Sequence, residues 1–305
     1  MKKVIVCIDI GGSSMKTGVC DLKGKLEGQE ILPVGQHFSS LMETVEVCLE
    51  KARMFGDVIG IAVSAPGAVD AETGVIGGMS AVPCIHGPSW TEELEKRFSL
   101  PASIENDANC AAMAEVVFGN GKGCRDLAFV VCGTGIGGAV VVDGKICRGK
   151  HLYGGEFGCM VMRDEEGAFS TFSLQASTMS LVRRVKKVCP DREWDGRKIF
   201  DEAERGNAVC VEAIDQFYSR LAEGIYNIQH VYDPERILLG GGISSREDFA
   251  EQIIKRLKQI VKMTEETAGT KVVLPDVQVC SYRKDANLVG VAAVFMQKYP
   301  ETAGR

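Results

Sequence analysis

Three stretches of the chain carry groups able to do chemistry. Glu105-Asn106-Asp107-Ala108-Asn109 sets two carboxylates and two amides at the start of a helical run, a cluster that can hold and deprotonate a hydroxyl. Asp107 or Asn106 can equally serve as an ordinary helix cap there. Further on, Cys132-Gly133-Thr134-Gly135-Ile136-Gly137-Gly138 forms a glycine turn between two apolar strands. Its backbone N–H groups can cup phosphate oxygens without basic side chains. Near the N-terminus, Asp9-Ile10-Gly11-Gly12-Ser13-Ser14 has the same character: either a plain hairpin, or one whose N–H groups and hydroxyls cup phosphate while Asp9 faces a metal-bound phosphate. Together these stretches suggest an acceptor alcohol joined to a phosphoryl donor.

The elements that position them follow from pattern. KVIVCIDI over residues 3–10 reads as a buried strand, and a second strand-like run follows the glycines. A Walker A loop or a dinucleotide fingerprint needs a helix there, and Thr17, Gly18 and Val19 are poor helix material, so both are excluded. LAFVVC, the second glycine turn and AVVVDGKI repeat the arrangement, with Gly133 answering Gly11 and Asp143-Gly144-Lys145 answering Asp21 and Gly24-Lys25. An internal repeat of this length predicts two related lobes, residues 1–118 completed by a C-terminal helix within 286–305, and residues 119–285.

Helical spacing predicts helices over 39–55, capped by Ser39 or Ser40, over 90–98, capped by Thr91, and over 172–188. A long helix over 207–232 should bury Val211, Ile214, Phe217, Leu221, Ile225, Ile228 and Val231. Residues 191–205 read as polar surface, and 77–90 as a long loop of the kind that is often functional. His86, with no second histidine nearby, reads as a loop side chain.

The 305 residues are 45% hydrophobic and 25% charged, with mean hydropathy +0.03, an ordinary globular composition. A net charge of −6 and the absence of basic runs argue against nucleic acid or an anionic membrane as partner. Twelve cysteines without a CxxC pair read as buried thiols rather than a disulfide framework or zinc site. The apolar run before Asp9 is too short for a signal peptide, so a cytoplasmic protein is expected.

In order along the chain, IDIGGSSMKTG, SAPGAVD, ENDANCAAMAE, CGTGIGG, GGEFG and DPERILLGGGIS resemble the ROK family of bacterial sugar kinases and sugar-responsive repressors. The resemblance covers nearly the whole chain. It implies the α/β actin/hexokinase-like (ribonuclease H-like) fold, with two lobes flanking a cleft, and an ATP-dependent kinase acting on a sugar 6-hydroxyl. Asp107 then looks like the general base. Ser80, Asn106, Glu156, Cys159 and Gln175 look like sugar contacts. Gly11, Gly12, Ser13 and Lys16 match the first phosphate motif, Gly133, Thr134 and Gly135 the second, and Gly240, Gly241 and Gly242 the turn against which adenosine lies. Asp9 would stand near Mg²⁺, reached through water.

The chain departs from the family's zinc-binding members. Cys159 replaces their histidine, Gln175 falls where a sugar-facing glutamate is expected, and residues 160–188 contain no cysteine, so no zinc is expected. The loop GGMSAVPCIHG is similar to that of zinc-free members acting on β-glucosides. The alternatives are an N-acetylmannosamine kinase, a glucokinase or fructokinase, and a non-catalytic sugar sensor. The repressors carry DNA-binding helices before the kinase-like part, which a first strand at Lys3 is expected to leave out. The resemblance also suggests a homodimer.

Overall fold

The computed structural model describes residues 2–78, 80 and 82–304, so Met79 and Ala81 of the 77–90 loop lie outside the described residues. The chain divides into two compact units. The first comprises Met1–Gly123, Arg148–Tyr153 and Lys284–Arg305, and the second Cys124–Cys147 and Gly154–Arg283.

The first unit begins with β1 (Lys3–Ile10), β2 (Ser14–Asp21) and β3 (Leu26–Pro33), an antiparallel meander. After α1 (Phe38–Ala52), β4 (Asp57–Ala65) pairs parallel to β1. A small hairpin, β5 (Ala68–Val69) with β6 (Ile76–Gly77), and α2 (Trp90–Phe98) lead to β7 (Ala102–Asn106), parallel to β4, and then to α3 (Asp107–Phe118). Strand β1 is buried on both faces, hence its continuous apolar run. Val4, Val6, Ile8 and Ile10 share a core with Leu41, Val45 and Leu49 of α1.

The second unit repeats this plan. β8 (Leu127–Cys132), β9 (Ile136–Val142) and β10 (Lys145–Ile146) form the meander, and a hairpin of β11 (Val161–Arg163) and β12 (Phe169–Thr171) follows. Next come α4 (Phe172–Ala176), α5 (Thr178–Val188), α6 (Gly196–Glu204) and α7 (Ala208–Tyr232). β13 (Arg236–Gly240) lies parallel to β8, α8 (Phe249–Ala268) follows, and β14 (Val277–Val279) lies parallel to β13. The sheet orders β3-β2-β1-β4-β7 and β10-β9-β8-β13-β14 are therefore the same topology twice. The chain then returns to the first unit as α9 (Ala286–Lys298) and α10 (Pro300–Ala303).

Several local expectations change. The cap of α1 is His37, which makes no side-chain cap bond, and Ser40 Oγ instead donates back to the His37 carbonyl. Ser89, not Thr91, caps α2 by accepting the Glu92 N–H. The helix expected over 172–188 is two helices, because Ser177 takes an extended conformation and caps α5. Residues 191–205 contain α6, anchored by buried Ile199 and Phe200. Val211 and Val231 of α7 are exposed, and Cys210, Ala213 and Phe217 lead its buried face. Cys147 and Cys159 are exposed, Cys84, Cys124 and Cys189 half-buried and the other cysteines buried. Among the described residues no helix is long and apolar enough to cross a membrane.

Candidate active site

In the first unit, strand register brings polar groups to the end of β1. Asp9 stands opposite Lys16 of β2 and Ser64 of β4, so the three side chains share one face of the sheet. Ser64 Oγ donates to Asp9 Oδ1 at 2.8 Å, and Asn287 Nδ2, near the start of α9, donates to the same oxygen at 2.9 Å. Lys16 Nζ lies 3.8 Å from Oδ2. Asp9 is thus oriented through one oxygen and turns the other toward Lys16. The adjoining turn is closed by Gly11 N–H to the Ser14 carbonyl at 2.9 Å, with Gly12 and Ser13 exposed.

One strand further along the sheet, β7 runs straight into α3. Asn106 is the cap: its Oδ1 accepts from the N–H groups of Ala108 at 2.9 Å and Asn109 at 3.3 Å, and its Nδ2 donates to the Gly67 carbonyl at 3.1 Å. Capping therefore belongs to Asn106, and Asp107 is the first helical residue, half-buried, with Oδ1 accepting the Ala108 N–H at 2.9 Å. The positive end of α3 favours an ionised carboxylate there. Glu105 points inward and is fully buried. It takes the Asn106 N–H and Asn109 Nδ2 on Oε1, each at 2.9 Å, and the Arg148 guanidinium on Oε2. The buried Cys110 thiol below is pushed well above its ordinary pKa by desolvation, reinforced by the Glu105 charge. Ser80, half-buried, meets His86 Nε2 at 2.8 Å.

In the second unit the glycine turn closes by Gly133 N–H to the Gly135 carbonyl at 2.9 Å. It is tied to α5 by Thr178 N–H to the Gly133 carbonyl at 2.9 Å, and Ser173 Oγ accepts the Ile136 N–H at 3.0 Å. Across from it, β13 ends at Gly240. Gly241 has φ +94°, and a Cβ there would lie 2.1 Å from the Cys132 carbonyl oxygen, so only glycine lets the two strand ends approach. Between these turns is a cavity of about 760 Å³ lined by Gly133, Thr134, Thr178, Lys198, Gly242 and Arg246, among others, a size that suits a nucleotide. Its third wall is the start of α6, where Asp195 caps by accepting the Lys198 N–H at 2.9 Å. The Arg246 guanidinium lies 3.9 Å from the centroid of the Phe200 ring, a flat platform beside the Gly242 turn.

The remaining sugar-contact candidates of the second unit stand apart in character. Glu156 and Cys159 are exposed at either end of a single 3₁₀ turn. Gln175 is buried, its Nε2 donating to Ser170 Oγ at 2.9 Å and its Oε1 accepting from Arg184 at 2.8 Å. Among the described residues no three His, Cys, Asp or Glu side chains cluster as metal ligands. A magnesium–nucleotide needs fewer, since phosphates and water supply most of its ligands, and the Asp9 carboxylate fits that demand.

The sequence missed Ser64, Asn287, Arg148 and His86 as partners of site residues, and the α6 wall. Asp195 followed by Ile199, Phe200 and Ala203 was the available signal for α6.

With this geometry in view, comparisons with known proteins converge. The ROK family model matches residues 5–298. A β-glucoside kinase of Listeria monocytogenes is 33% identical over 96% of this chain and 98% of its own. The crystal structure of a ROK family protein of Streptococcus pneumoniae, in complex with sucrose, is 40% identical with TM-score 0.89, covering 98% of this chain and 99% of the other. A candidate N-acetylmannosamine kinase of Listeria monocytogenes is 30% identical with TM-score 0.81, covering 98% and 99%.

Proposed function

The chain belongs to the ROK family and has its actin/hexokinase-like fold, and we propose that it is an ATP-dependent sugar kinase transferring phosphate to the 6-hydroxyl of a β-glucoside of the cellobiose type. The observation that carries the reading is Asp107 at the first position of α3, held beside the Asn106 cap. The β-glucoside kinase relative supports the substrate class, and the sucrose bound by the Streptococcus pneumoniae relative supports an acceptor site that admits a disaccharide.

In this reading Asp107 accepts the proton of the 6-hydroxyl as its oxygen attacks the γ-phosphorus, a contribution of about 10²–10⁴-fold for a positioned base. Ser80, Asn106, Glu156, Cys159 and Gln175 are the sugar contacts. Gly11, Gly12, Ser13 and Lys16 in the first unit, and Gly133, Thr134 and Gly135 in the second, are the phosphate motifs: Gly11 and Gly133 spend their N–H groups on closing the turns, and the other residues offer N–H groups and the Lys16 cation. Gly240, Gly241 and Gly242 border the adenosine. Asp9 would hold a magnesium ion, which when bound would supply charge neutralisation for the phosphoryl transfer.

We infer no structural zinc, because Cys159 has no second thiol in 160–188 to join it. Thiols such as Cys7, Cys110 and Cys132, buried without a disulfide, favour a reducing, cytoplasmic setting. The net charge of −6 favours a small-molecule enzyme over one that binds nucleic acid or membrane, and a homodimer is the expected assembly.

A second reading, N-acetylmannosamine kinase, rests on the 30% identical neighbour. A coupled ADP-release assay over cellobiose, other β-glucosides, glucose, fructose and N-acetylmannosamine decides between them. Turnover of cellobiose is expected; inert β-glucosides with an active N-acetylmannosamine would overturn the substrate assignment.

A further inference from the structure

The Gly67 carbonyl that receives Asn106 belongs to a turn on which His86 rests. A Cβ placed on Gly67 would stand 3.8 Å from His86 Cε1. Two contacts fix the imidazole: Nδ1 lies 3.1 Å from the Ile76 carbonyl oxygen, and Nε2 lies 2.8 Å from Ser80 Oγ. A carbonyl oxygen can only accept, so Nδ1 carries the proton. In the neutral ring Nε2 is then a bare lone pair, and Ser80 donates its single hydrogen to it. Among the described residues, the other acceptor within reach of that hydroxyl, the Val82 carbonyl, is more distant at 3.3 Å. The Val82 N–H, also at 3.3 Å, occupies one lone pair of Ser80. Among the described residues, what the half-buried hydroxyl has left to offer a ligand is one acceptor site and no donor.

We infer that Ser80 reads the acceptor sugar as a hydrogen-bond acceptor only, and that His86 is the positioning residue that sets this polarity. The inference rests on reading the start of α3 as the sugar site, and it narrows the substrate chemistry. The sugar position facing Ser80 must present an O–H or N–H. An ether, a deoxy carbon or a fluorine there leaves the oxygen unsatisfied. Neither Ser80 nor His86 takes part in the phosphoryl step, so the effect belongs to acceptor recognition and not to turnover.

The test uses whichever sugar has the highest kcat/KM in the acceptor panel, with its monodeoxy and deoxyfluoro analogues. In the wild type, one position should show a rise of roughly 3- to 10-fold in acceptor KM for both kinds of analogue, the fold-change of one lost neutral hydrogen bond. In Ser80→Ala the penalty at that position should vanish, since the natural sugar then binds as poorly as its analogue. In His86→Phe, which releases the Ser80 hydrogen, the deoxyfluoro penalty should shrink. His86→Asn keeps a donor for the Ile76 carbonyl but is too short to reach Ser80, so it guards against misfolding and should act as His86→Phe does. The KM for ATP and kcat should stay within about twofold throughout. An analogue profile unchanged in Ser80→Ala, or unchanged in both His86 variants, overturns the proposal, as do effects that fall on kcat or ATP instead. Failure of the parent reading looks different: Asp107→Asn would retain turnover, or cellobiose would be inert, while the Ser80 profile stays measurable on the sugar that is used.

Discussion

Glu105 and Arg148, far apart in sequence, form an ion pair directly beneath the start of α3. The Glu105 carboxylate is completely buried, and Arg148 reaches Oε2 with Nε at 2.9 Å and with a terminal N–H. The remaining oxygen orients Asn109 and the Asn106 backbone, so one buried charge ties the segment 148–153 to the helix that carries Asp107. Arg148→Met would leave that charge unpaired. Breaking a buried pair costs about 3–5 kcal/mol, but the Arg148 side chain is 33% exposed and solvent screens it, so about 2–4 kcal/mol is expected from urea unfolding. Arg148→Lys should fall between, keeping the charge without the two-point contact. A loss below about 1 kcal/mol in Arg148→Met would show that the other hydrogen bonds suffice to hold the carboxylate.

Asp107→Asn tests the base. The amide can keep accepting the Ala108 N–H, so α3 should form normally. It cannot take a proton at neutral pH. Turnover should fall by about 10²–10⁴-fold while the KM for ATP stays near wild type. Near wild-type turnover would remove Asp107 from the chemistry.

Gly241 and Gly242 make a matched pair of substitutions. At Gly241 a methyl group would collide with backbone at 2.1 Å from the Cys132 oxygen, at a φ of +94° that already disfavours alanine. Backbone cannot yield as a side chain can, so Gly241→Ala should cost upwards of about 3 kcal/mol and raise the KM for ATP by displacing the turn. At Gly242 nothing lies within 4 Å of the added carbon. Gly242→Ala should fold within about 1 kcal/mol of wild type in urea. Equal effects at the two positions would contradict the close approach of β8 and β13.

What could be read in advance follows the range of the interactions. The two glycine turns and their flanking strands are local patterns, and the repeated sheet order β3-β2-β1-β4-β7 and β10-β9-β8-β13-β14 agrees with the repeat between Gly11 and Gly133. Asn106 and Asp107 were recognisable as a helix start because capping needs only the next few residues. The orientation of Glu105 was hidden, since its partner Arg148 lies on a segment that returns from beyond β10. Asp9 likewise depends on Ser64 and on Asn287 near the other end of the chain. The missed α6 has a different cause. Its short span carries only Ile199 and Phe200 as buried positions, too few for the periodicity to stand out from polar surface.

Buried thiols give the chain a pH-dependent stability whose sign can be worked out. Desolvation pushes the Cys132 thiol up to about 12 against the opposing hydrogen bonds of Thr178, and its proton is directed at the Ala176 carbonyl at 3.4 Å. The unfolded chain ionises this group near its ordinary value of 9.0. A pKa raised in the folded state means that the stability is fully present below pH 9 and is lost as pH climbs toward 12, because the unfolded chain releases a proton that the folded one keeps. Each such thiol contributes a slope of about 1.4 kcal/mol per pH unit within that window. Cys7 and Cys110 are also raised by burial and act in the same direction. Urea unfolding between pH 8 and 10.5, under reducing conditions, should therefore show stability falling steeply above pH 9. Cys132→Ala starts less stable because of the lost packing, yet its curve should be shallower than wild type by up to about 1.4 kcal/mol per pH unit. Parallel curves would mean that Cys132 ionises as readily in the folded protein as in the unfolded chain, and that the alkaline loss comes from other groups.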